Sequence, residues 1–279
     1  MLNFILFADD TNIFCSGKDI KTLCKSISRE LDKLNIWFAV NKLSLNVNKT
    51  NFILFGNKKQ TEDVHITINN VRIDRVYVTK FLGVMIDHKL NWKEHIDIIN
   101  KKLSKSIAII HKASTILKTD SLYTLYCSLF LPYLNYCAEN WGNTYESNLS
   151  KLVTKQKQVI RIISKAEFRD HTNPLFKQLK ILKLHDLIRL RSAIFMYKAN
   201  KNSLPRNLQL MFLDNKVNSN YNLRNKKEYY QKYVRTKQKQ MCLSVFGIKL
   251  WNSLDSKIRQ SETIYSFKSK YKYYLLNNY

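Results

Sequence analysis

The chain has 279 residues, of which 45% are hydrophobic, and this is enough for one large or two modest domains with buried cores. Lys and Arg total 47 against 21 Asp and Glu, and the net charge of +26 favours nucleic acid as a partner. A-plus-T-rich coding is an alternative source of part of this charge, because it enriches Lys together with Asn, Ile and Tyr. The five cysteines form neither a disulfide nor a zinc pattern. No signal peptide or membrane span is predicted, so we expect an intracellular protein of the nucleus or cytoplasm.

The first predicted element is a short hairpin with Phe7-Ala8-Asp9-Asp10-Thr11 at its tip. Apolar residues precede and follow this turn, which is typical of two short strands. Two adjacent carboxylates can hold a divalent metal such as Mg²⁺, which prefers hard oxygen ligands. Adjacent Asp residues are also common in turns for conformational reasons alone, so the dipeptide by itself leaves both interpretations open.

A helix and several strands are predicted next. Asp19 can cap a helix whose apolar residues recur every three or four positions up to Phe38. Strands are predicted over residues 41–47, 52–55, 64–68, 71–73 and 81–87. Asn69-Asn70 is typical of a tight hairpin turn, and Gly83 allows a bend or a close backbone approach. Together these elements predict an α+β fold in which a helix packs on a small antiparallel sheet.

From Trp92 onward the hydrophobic period becomes helical. The clearest apolar stripe consists of Ile96, Ile99, Leu103, Ile107 and Ile110. Further helices are predicted from about Ser121 to Leu131 and over residues 149–163, 184–199 and 264–274. Their Lys-rich faces are typical of solvated helices and, if the faces align, of a nucleic-acid groove. Residues 214–233 predict a linker whose tyrosines either stack on bases or pack on the body.

Five blocks of the sequence, in order, resemble the reverse transcriptases of non-LTR (LINE-type) retrotransposons. Phe7-Ala8-Asp9-Asp10-Thr11 is similar to the F/Y-A-D-D box of the palm hairpin in that family, and Phe81-Leu82-Gly83-Val84 is similar to its primer grip. The other three blocks are Trp37 with Asn41-Lys42-Leu43-Ser44-Leu45-Asn46 and Lys49-Thr50, then Tyr133, Tyr136 and Trp141-Gly142, and finally Gly247 with Leu250-Trp251-Asn252. The resemblance covers nearly the whole chain.

This resemblance implies a domain order and an activity. Residues 1–91 would form part of a polymerase palm with its primer grip, residues 92–213 a mostly α-helical thumb, and residues 214–279 a basic linker and C-terminal tail. The intact family implies RNA-directed DNA synthesis by two-metal nucleotidyl transfer, with Mg²⁺ or alternatively Mn²⁺ as cofactor. An RNA template and a DNA primer are the implied partners, and dNTPs are the implied substrates.

Site residues follow from the same resemblance. Asp9 would be the catalytic metal ligand, and Asp10 would have a secondary role beside it. Lys49 lies where related polymerases place a Lys that protonates the leaving pyrophosphate, although an ordinary surface Lys in a turn explains it equally well. Phe81, Leu82 and Gly83 would hold the primer end, which is positioning rather than chemistry.

The sequence departs from the family pattern before the first block. In the family, the fingers and the palm Asp that supplies the other essential metal carboxylate precede the F-A-D-D box, whereas six residues precede it here. We therefore expect a truncated copy that does not polymerise alone, with an unpaired apolar hairpin edge that lowers its solubility. Two alternatives stay open, namely a non-catalytic RNA- or DNA-binding protein derived from a retrotransposon and an inert genomic relic.

Overall fold

A computed structural model describes residues 2–56, 64–213 and 229–279. The chain divides into two compact units. The first contains the residues up to Phe81 together with Asp87–Lys89, and the second contains Leu82–Ile86 and Leu90–Tyr279. Small sheets in the first unit and a mainly helical second unit confirm the predicted α+β class.

The first unit consists of one long helix and short strands. Its elements are β1 (Asn3–Phe7), β2 (Asp10–Phe14), α1 (Ile20–Val40), a 3₁₀ turn (Val47–Lys49), β3 (Asn51–Phe52), β4 (Ile66–Ile68), β5 (Val71–Arg75) and β6 (Val78–Phe81). β1 and β2 form an antiparallel hairpin, while β3, β5 and β4 form a sheet in that order, with β3 parallel and β4 antiparallel to β5. Helix α1 begins where predicted, because the Asp19 carboxylate accepts a 2.7 Å hydrogen bond from the Thr22 N–H.

Helix α1 covers the edge of strand β4 in two ways. Its buried Cys24 and Leu31 share a small apolar core with Ile66, Ile68 and other residues of the sheet. In addition, Ser28 Oγ accepts from the Thr67 N–H at 3.0 Å, and the Asp32 carboxylate accepts from the Asn69 N–H at 2.7 Å. These side chains satisfy one backbone donor on the edge strand β4 and one in the turn that follows it, which protects that edge from pairing with another chain.

The hairpin turn at Asn69-Asn70 is confirmed, since both residues have positive φ, at 48° and 62°. The strand predicted over residues 41–47 is wrong. After α1, Asn41 Nδ2 donates to the Trp37 carbonyl at 2.8 Å and Lys42 takes a left-handed φ of 58°, so the chain turns. Asn46 Oδ1 then accepts from the Lys49 N–H at 3.2 Å and caps the 3₁₀ turn. Local bonds from Asn side chains replace the ladder bonds that a strand needs.

Two other strand predictions need correction. Of the strand predicted over residues 52–55, only Phe52 lies in a strand, at the end of β3. The strand predicted over residues 81–87 is interrupted at Leu82 and Gly83, so that β6 ends before the turn and β7 (Val84–Asp87) begins after it. Gly83 therefore lies in a tight turn rather than at a bend within one strand.

The second unit is helical beyond β7. Its helices are α2 (Lys93–Ser114), α3 (Thr119–Leu125), α4 (Leu131–Asn135), α5 (Ala138–Trp141), α6 (Glu146–Ser164), α7 (Thr172–Gln178), α8 (Leu184–Asn200), α9 (Arg206–Leu213), α10 (Lys237–Met241), α11 (Leu243–Ser253), α12 (Ser256–Arg259) and α13 (Ile264–Asn277). The predicted stripe of α2 is buried along its whole length. The single helix predicted from Ser121 to Leu131 is instead α3, a π-helical turn over Tyr126–Phe130, and the start of α4. Among the described helices, none is both long and apolar enough to cross a bilayer.

A buried glutamine joins three parts of the second unit. Gln156 on α6 is 1% exposed, and its Nε2 donates to the Leu182 carbonyl at 2.9 Å and to Tyr126 Oη at 3.2 Å. Its Oε1 accepts from the Leu184 N–H at 2.8 Å, where α8 begins. The Gln156 side chain therefore satisfies the N–H of Leu184, at the start of α8, and the carbonyl of Leu182, two residues earlier.

The tail contributes to the same apolar core. Trp251 of α11 and Phe267 of α13 are fully buried, and both rings pack near Tyr197 of α8. Tyr229 is also fully buried, and its ring meets that of Phe212 at 6.3 Å. Of the two alternatives for the linker tyrosines, packing on the body therefore holds for Tyr229. Residues 214–228 of that predicted linker, including Tyr221, lie outside the described residues.

Candidate functional site

The predicted catalytic turn lies at the tip of the β1–β2 hairpin. Phe7 pairs with Asp10 across the hairpin, so Ala8 and Asp9 form the two-residue turn, with Ala8 at a positive φ of 49°. Asp9 and Asp10 are both exposed. The hairpin thus presents two adjacent carboxylates to solvent on a short antiparallel ribbon.

These two carboxylates do not make a complete metal site by themselves. They have the hard oxygen atoms that Mg²⁺ and Mn²⁺ prefer. Across residues 2–56, 64–213 and 229–279, however, no group of three or more His, Cys, Asp or Glu side chains could hold a metal ion. Asp9 and Asp10 could therefore supply only part of the ligands of such an ion.

The hairpin also exposes apolar side chains. Phe4, Ile5, Leu6 and Phe7 of β1 are between 48% and 69% exposed. In the described part of the chain, β1 and β2 pair only with each other, so each has an unpaired outer edge. This agrees with the expected apolar edge, and such an edge favours pairing with another chain.

Among the described residues, Lys49 is not bonded to either of the two carboxylates. It is the last residue of the 3₁₀ turn, and its side chain is exposed. No hydrogen bond or ion pair within the described ranges joins Lys49 to Asp9 or Asp10. Its predicted role in proton transfer stays a prediction.

The residues of the predicted primer grip are divided between the two units. Phe81 ends β6 in the first unit, while Leu82 and Gly83 belong to the second. Leu82 has φ 44° and Gly83 has φ 85°, so the turn takes two consecutive left-handed residues. This conformation costs a Leu about 1–2 kcal/mol, and other contacts must hold it.

Those contacts come from the helices of the second unit. Tyr136 Oη donates to the Leu82 carbonyl at 2.5 Å, and the Met85 N–H donates to His95 Nδ1 at 3.3 Å. Trp141 Nε1 donates to the carbonyl of Tyr136 at 2.7 Å, and the Trp141 ring meets that of His95 edge-on at 5.7 Å. We call Tyr136, His95 and Trp141 the turn clamp. Tyr136 and Trp141 belong to one of the family blocks in the sequence, but the sequence assigns neither a role, because the bond from Tyr136 to a turn 54 residues earlier leaves no local pattern.

His95 is neutral in this setting. It is 5% exposed, and burial lowers its pKa from 6.5 to about 4, with a smaller contribution from the charge of Lys102. Because Nδ1 accepts the Met85 N–H, the ring proton lies on Nε2, which has no hydrogen-bond partner among the described residues. Protonation of Nδ1 would remove its acceptor lone pair and break the bond to Met85.

A basic face lies on helix α2. Lys101, Lys102 and Lys105 are exposed there, and Lys102 Nζ lies 5.1 Å from the centre of the Tyr133 ring. On α6, Lys157 is exposed, but two other basic residues are engaged within the protein. Lys151 pairs with Asp97, and Arg161 donates twice to the Asp170 carbonyl, at 2.9 and 3.1 Å. Helix α2 is therefore the better candidate for a phosphate contact.

Comparison with known proteins identifies relatives of the chain. It is 27% identical over 211 residues to the RNA-directed DNA polymerase from mobile element jockey of Drosophila melanogaster. The aligned region covers 72% of this chain and 22% of that protein. The chain is therefore similar in sequence to RNA-directed DNA polymerases of mobile elements. A probable RNA-directed DNA polymerase from transposon X-element of the same species is 23% identical, over 67% of this chain and 21% of the relative. The jockey polymerase of Drosophila funebris is 25% identical over 66% of this chain.

These relatives confirm the predicted resemblance to retrotransposon reverse transcriptases. The chain spans about a fifth of the length of the polymerases it matches. No protein-family profile and no solved structure matches it.

Proposed function

We propose that this chain is a segment of a retrotransposon reverse transcriptase, and that it binds primer–template nucleic acid. The observation that carries the proposal is its similarity to the jockey polymerase over 72% of the chain. The exposed Asp9-Asp10 turn on an apolar hairpin supports the same interpretation. The proposal includes the predicted palm (residues 1–91), thumb (92–213) and tail (214–279).

In the whole polymerase, Asp9 and Asp10 would supply two carboxylates to a divalent metal site that promotes nucleotidyl transfer. The remaining ligands would come from outside the described residues of this chain. For that reason we propose that the chain alone does not synthesise DNA. What its own residues do is bind the nucleic acid and orient the primer end, which involves Phe81, Leu82 and Gly83.

The charge distribution supports phosphate binding. The net charge is +26, and three exposed Lys residues lie within five positions on α2. Each phosphate neutralised by a Lys releases counterions, so the affinity should fall steeply as salt rises. A non-catalytic nucleic-acid-binding protein is the second candidate function, and this basic face supports it as well.

The test combines binding, metal titration and synthesis in the full chain. We expect a primer–template to bind with strong salt dependence, and no dNTP incorporation with Mg²⁺ or Mn²⁺. Asp9→Asn should bind nucleic acid as tightly as the wild type or more tightly, because a negative charge is removed, and should weaken the Mn²⁺ binding that the two carboxylates of the incomplete site provide in calorimetry. Asp120→Asn removes the same charge from an exposed site on α3 and should leave Mn²⁺ binding unchanged.

Each result separates the candidates. Failure of the wild type to bind any nucleic acid would refute both functions. Mn²⁺ binding that does not depend on Asp9 would favour the non-catalytic candidate, and Asp9-dependent synthesis by this chain alone would refute the proposed inactivity. The basic face is tested with Lys102→Gln, which should lower the magnitude of the slope of log affinity against log salt by about 0.7–0.9. Lys33→Gln is the control and should change this slope less, because Lys33 forms an ion pair with Glu30.

A further inference from the structure

The turn at Leu82 and Gly83 is held from outside by one aromatic side chain. Tyr136 Oη donates to the Leu82 carbonyl at 2.5 Å. A Cβ atom added to Gly83 would lie 3.4 Å from Cε1 of the same ring. The ring therefore contacts both left-handed residues of the turn, one through a hydrogen bond and the other through van der Waals packing.

Tyr136 is itself anchored. Its carbonyl accepts from Nε1 of the fully buried Trp141, and the Trp141 ring meets His95, whose Nδ1 accepts from the Met85 N–H. Leu82 and Met85 are thus bound on either side of Gly83 by residues that contact each other. The network therefore begins at Leu82 and ends at Met85 in the same segment, so it restricts the turn more than a single hydrogen bond would.

The turn nevertheless remains open to solvent. Gly83 is exposed and Tyr136 is 51% exposed, so the hydrogen bond between Tyr136 and Leu82 is not part of a buried core. Tyr133, three positions before Tyr136, is 37% exposed and has Lys102 over its ring. The Gly83 backbone is thus exposed beside the half-exposed ring of Tyr136, and such a surface suits a nucleic-acid strand, since an exposed aromatic ring can stack on a base.

We propose that Tyr136 is the positioning residue of this turn, holding Leu82 and Gly83 so that their backbone receives the 3′ end of a primer strand. The proposal rests on the proposed function, because it needs nucleic-acid binding. Tyr136 acts through the turn and is not a catalytic residue. We therefore expect Tyr136 to affect the preference for a primer end over a continuous strand, rather than the overall affinity for nucleic acid.

The experiment compares the wild type with Tyr136→Phe, which removes only the hydroxyl group. Fluorescence anisotropy measures affinity for two RNA–DNA hybrids of equal length, one with a recessed DNA 3′ end and one with a continuous DNA strand. The wild type should prefer the recessed end, and Tyr136→Phe should lower that preference about two- to tenfold, as expected for one hydrogen bond. Tyr133→Phe is the matched control and should keep the preference, because a Phe ring still accepts the Lys102 contact.

Two further measurements address the turn directly. Hydrogen exchange in a peptide covering residues 82–86 should be faster in Tyr136→Phe than in the wild type and unchanged in Tyr133→Phe. Gly83→Ala puts a side chain at a φ of 85° and should lower the preference for the recessed end.

The possible failures are distinct. A wild type that binds neither hybrid refutes the proposed function and this inference with it. A wild type that binds both hybrids equally, or a Tyr136→Phe variant that keeps the preference, refutes the inference alone. Equal weakening toward both hybrids would mean that Tyr136 is merely structural, and this also refutes it.

Discussion

The buried His95 should make the second unit less stable in mild acid. The pKa of its imidazole is lowered to about 4 in the folded protein, against 6.5 for an ordinary His. The unfolded chain therefore binds more protons between these two values, and stability rises with pH across that window. The stabilisation is complete above pH 6.5 and is lost as the pH falls toward 4.

The size of the effect follows from the two pKa values. Between pH 7 and pH 5 the proton-linkage relation predicts that this group costs the folded state about 2 kcal/mol. The structural cause is that protonated Nδ1 can no longer accept the Met85 N–H, in a position only 5% exposed. One buried group can thus account for a sizeable part of the usual stability of a domain.

Urea unfolding followed by tryptophan fluorescence at pH 5, 6 and 7 tests this, because three of the four Trp residues lie in the second unit. His95→Asn keeps an oxygen at the position of Nδ1 that can accept the Met85 N–H but does not titrate. The stability difference between wild type and His95→Asn should therefore shift by about 2 kcal/mol in favour of the variant between pH 7 and pH 5. His111→Asn, on the exposed side of the same helix, should follow the wild-type curve. Parallel curves for wild type and His95→Asn would refute the reasoning.

Two further changes test the core and the hairpin. Gln156→Leu takes away the side-chain partner of the buried Leu184 N–H and Leu182 carbonyl and should destabilise the second unit by about 3–5 kcal/mol in urea unfolding. Gln158→Leu, at an exposed position on the same helix, should change the stability by less than about 0.5 kcal/mol. Similar values for the two variants would contradict the structural role of Gln156. Leu6→Lys places a charge at a side chain that is 69% exposed on an unpaired strand and should reduce aggregation on size-exclusion chromatography with little change in stability. A wild type that already runs as a monodisperse monomer would count against an exposed, adhesive edge.

The elements that were predicted correctly depend on neighbours in sequence. Asp19 caps α1 through an N–H three residues away, and Asn69-Asn70 forms its turn because Asn tolerates positive φ. The buried stripe of α2 follows from the helical period alone. In the same way, the Asp9-Asp10 turn was recognisable from a few adjacent residues and the apolar strands around them.

Other features could not be predicted, because they depend on partners far along the chain. The alternating pattern over residues 41–47 is typical of a strand, but Asn41 and Asn46 satisfy the backbone locally and the segment turns. Neither the burial of Gln156 nor its bonds to Leu182 and Leu184 leave any local signal. The hydrophobic periodicity of a helix shows which of its faces is buried, but it does not show which other elements pack against that face.

The turn clamp illustrates the difference most clearly. The sequence alone determined that a glycine follows Leu82 and that aromatic residues occur near residue 136. Only the packing of α2, α4 and α5 brings the Tyr136 hydroxyl to a carbonyl 54 residues earlier in the chain and buries His95 beside it. A hydrogen bond and a shifted pKa both require atoms a few ångströms apart, and for residues far apart in sequence that distance is set by the folded core.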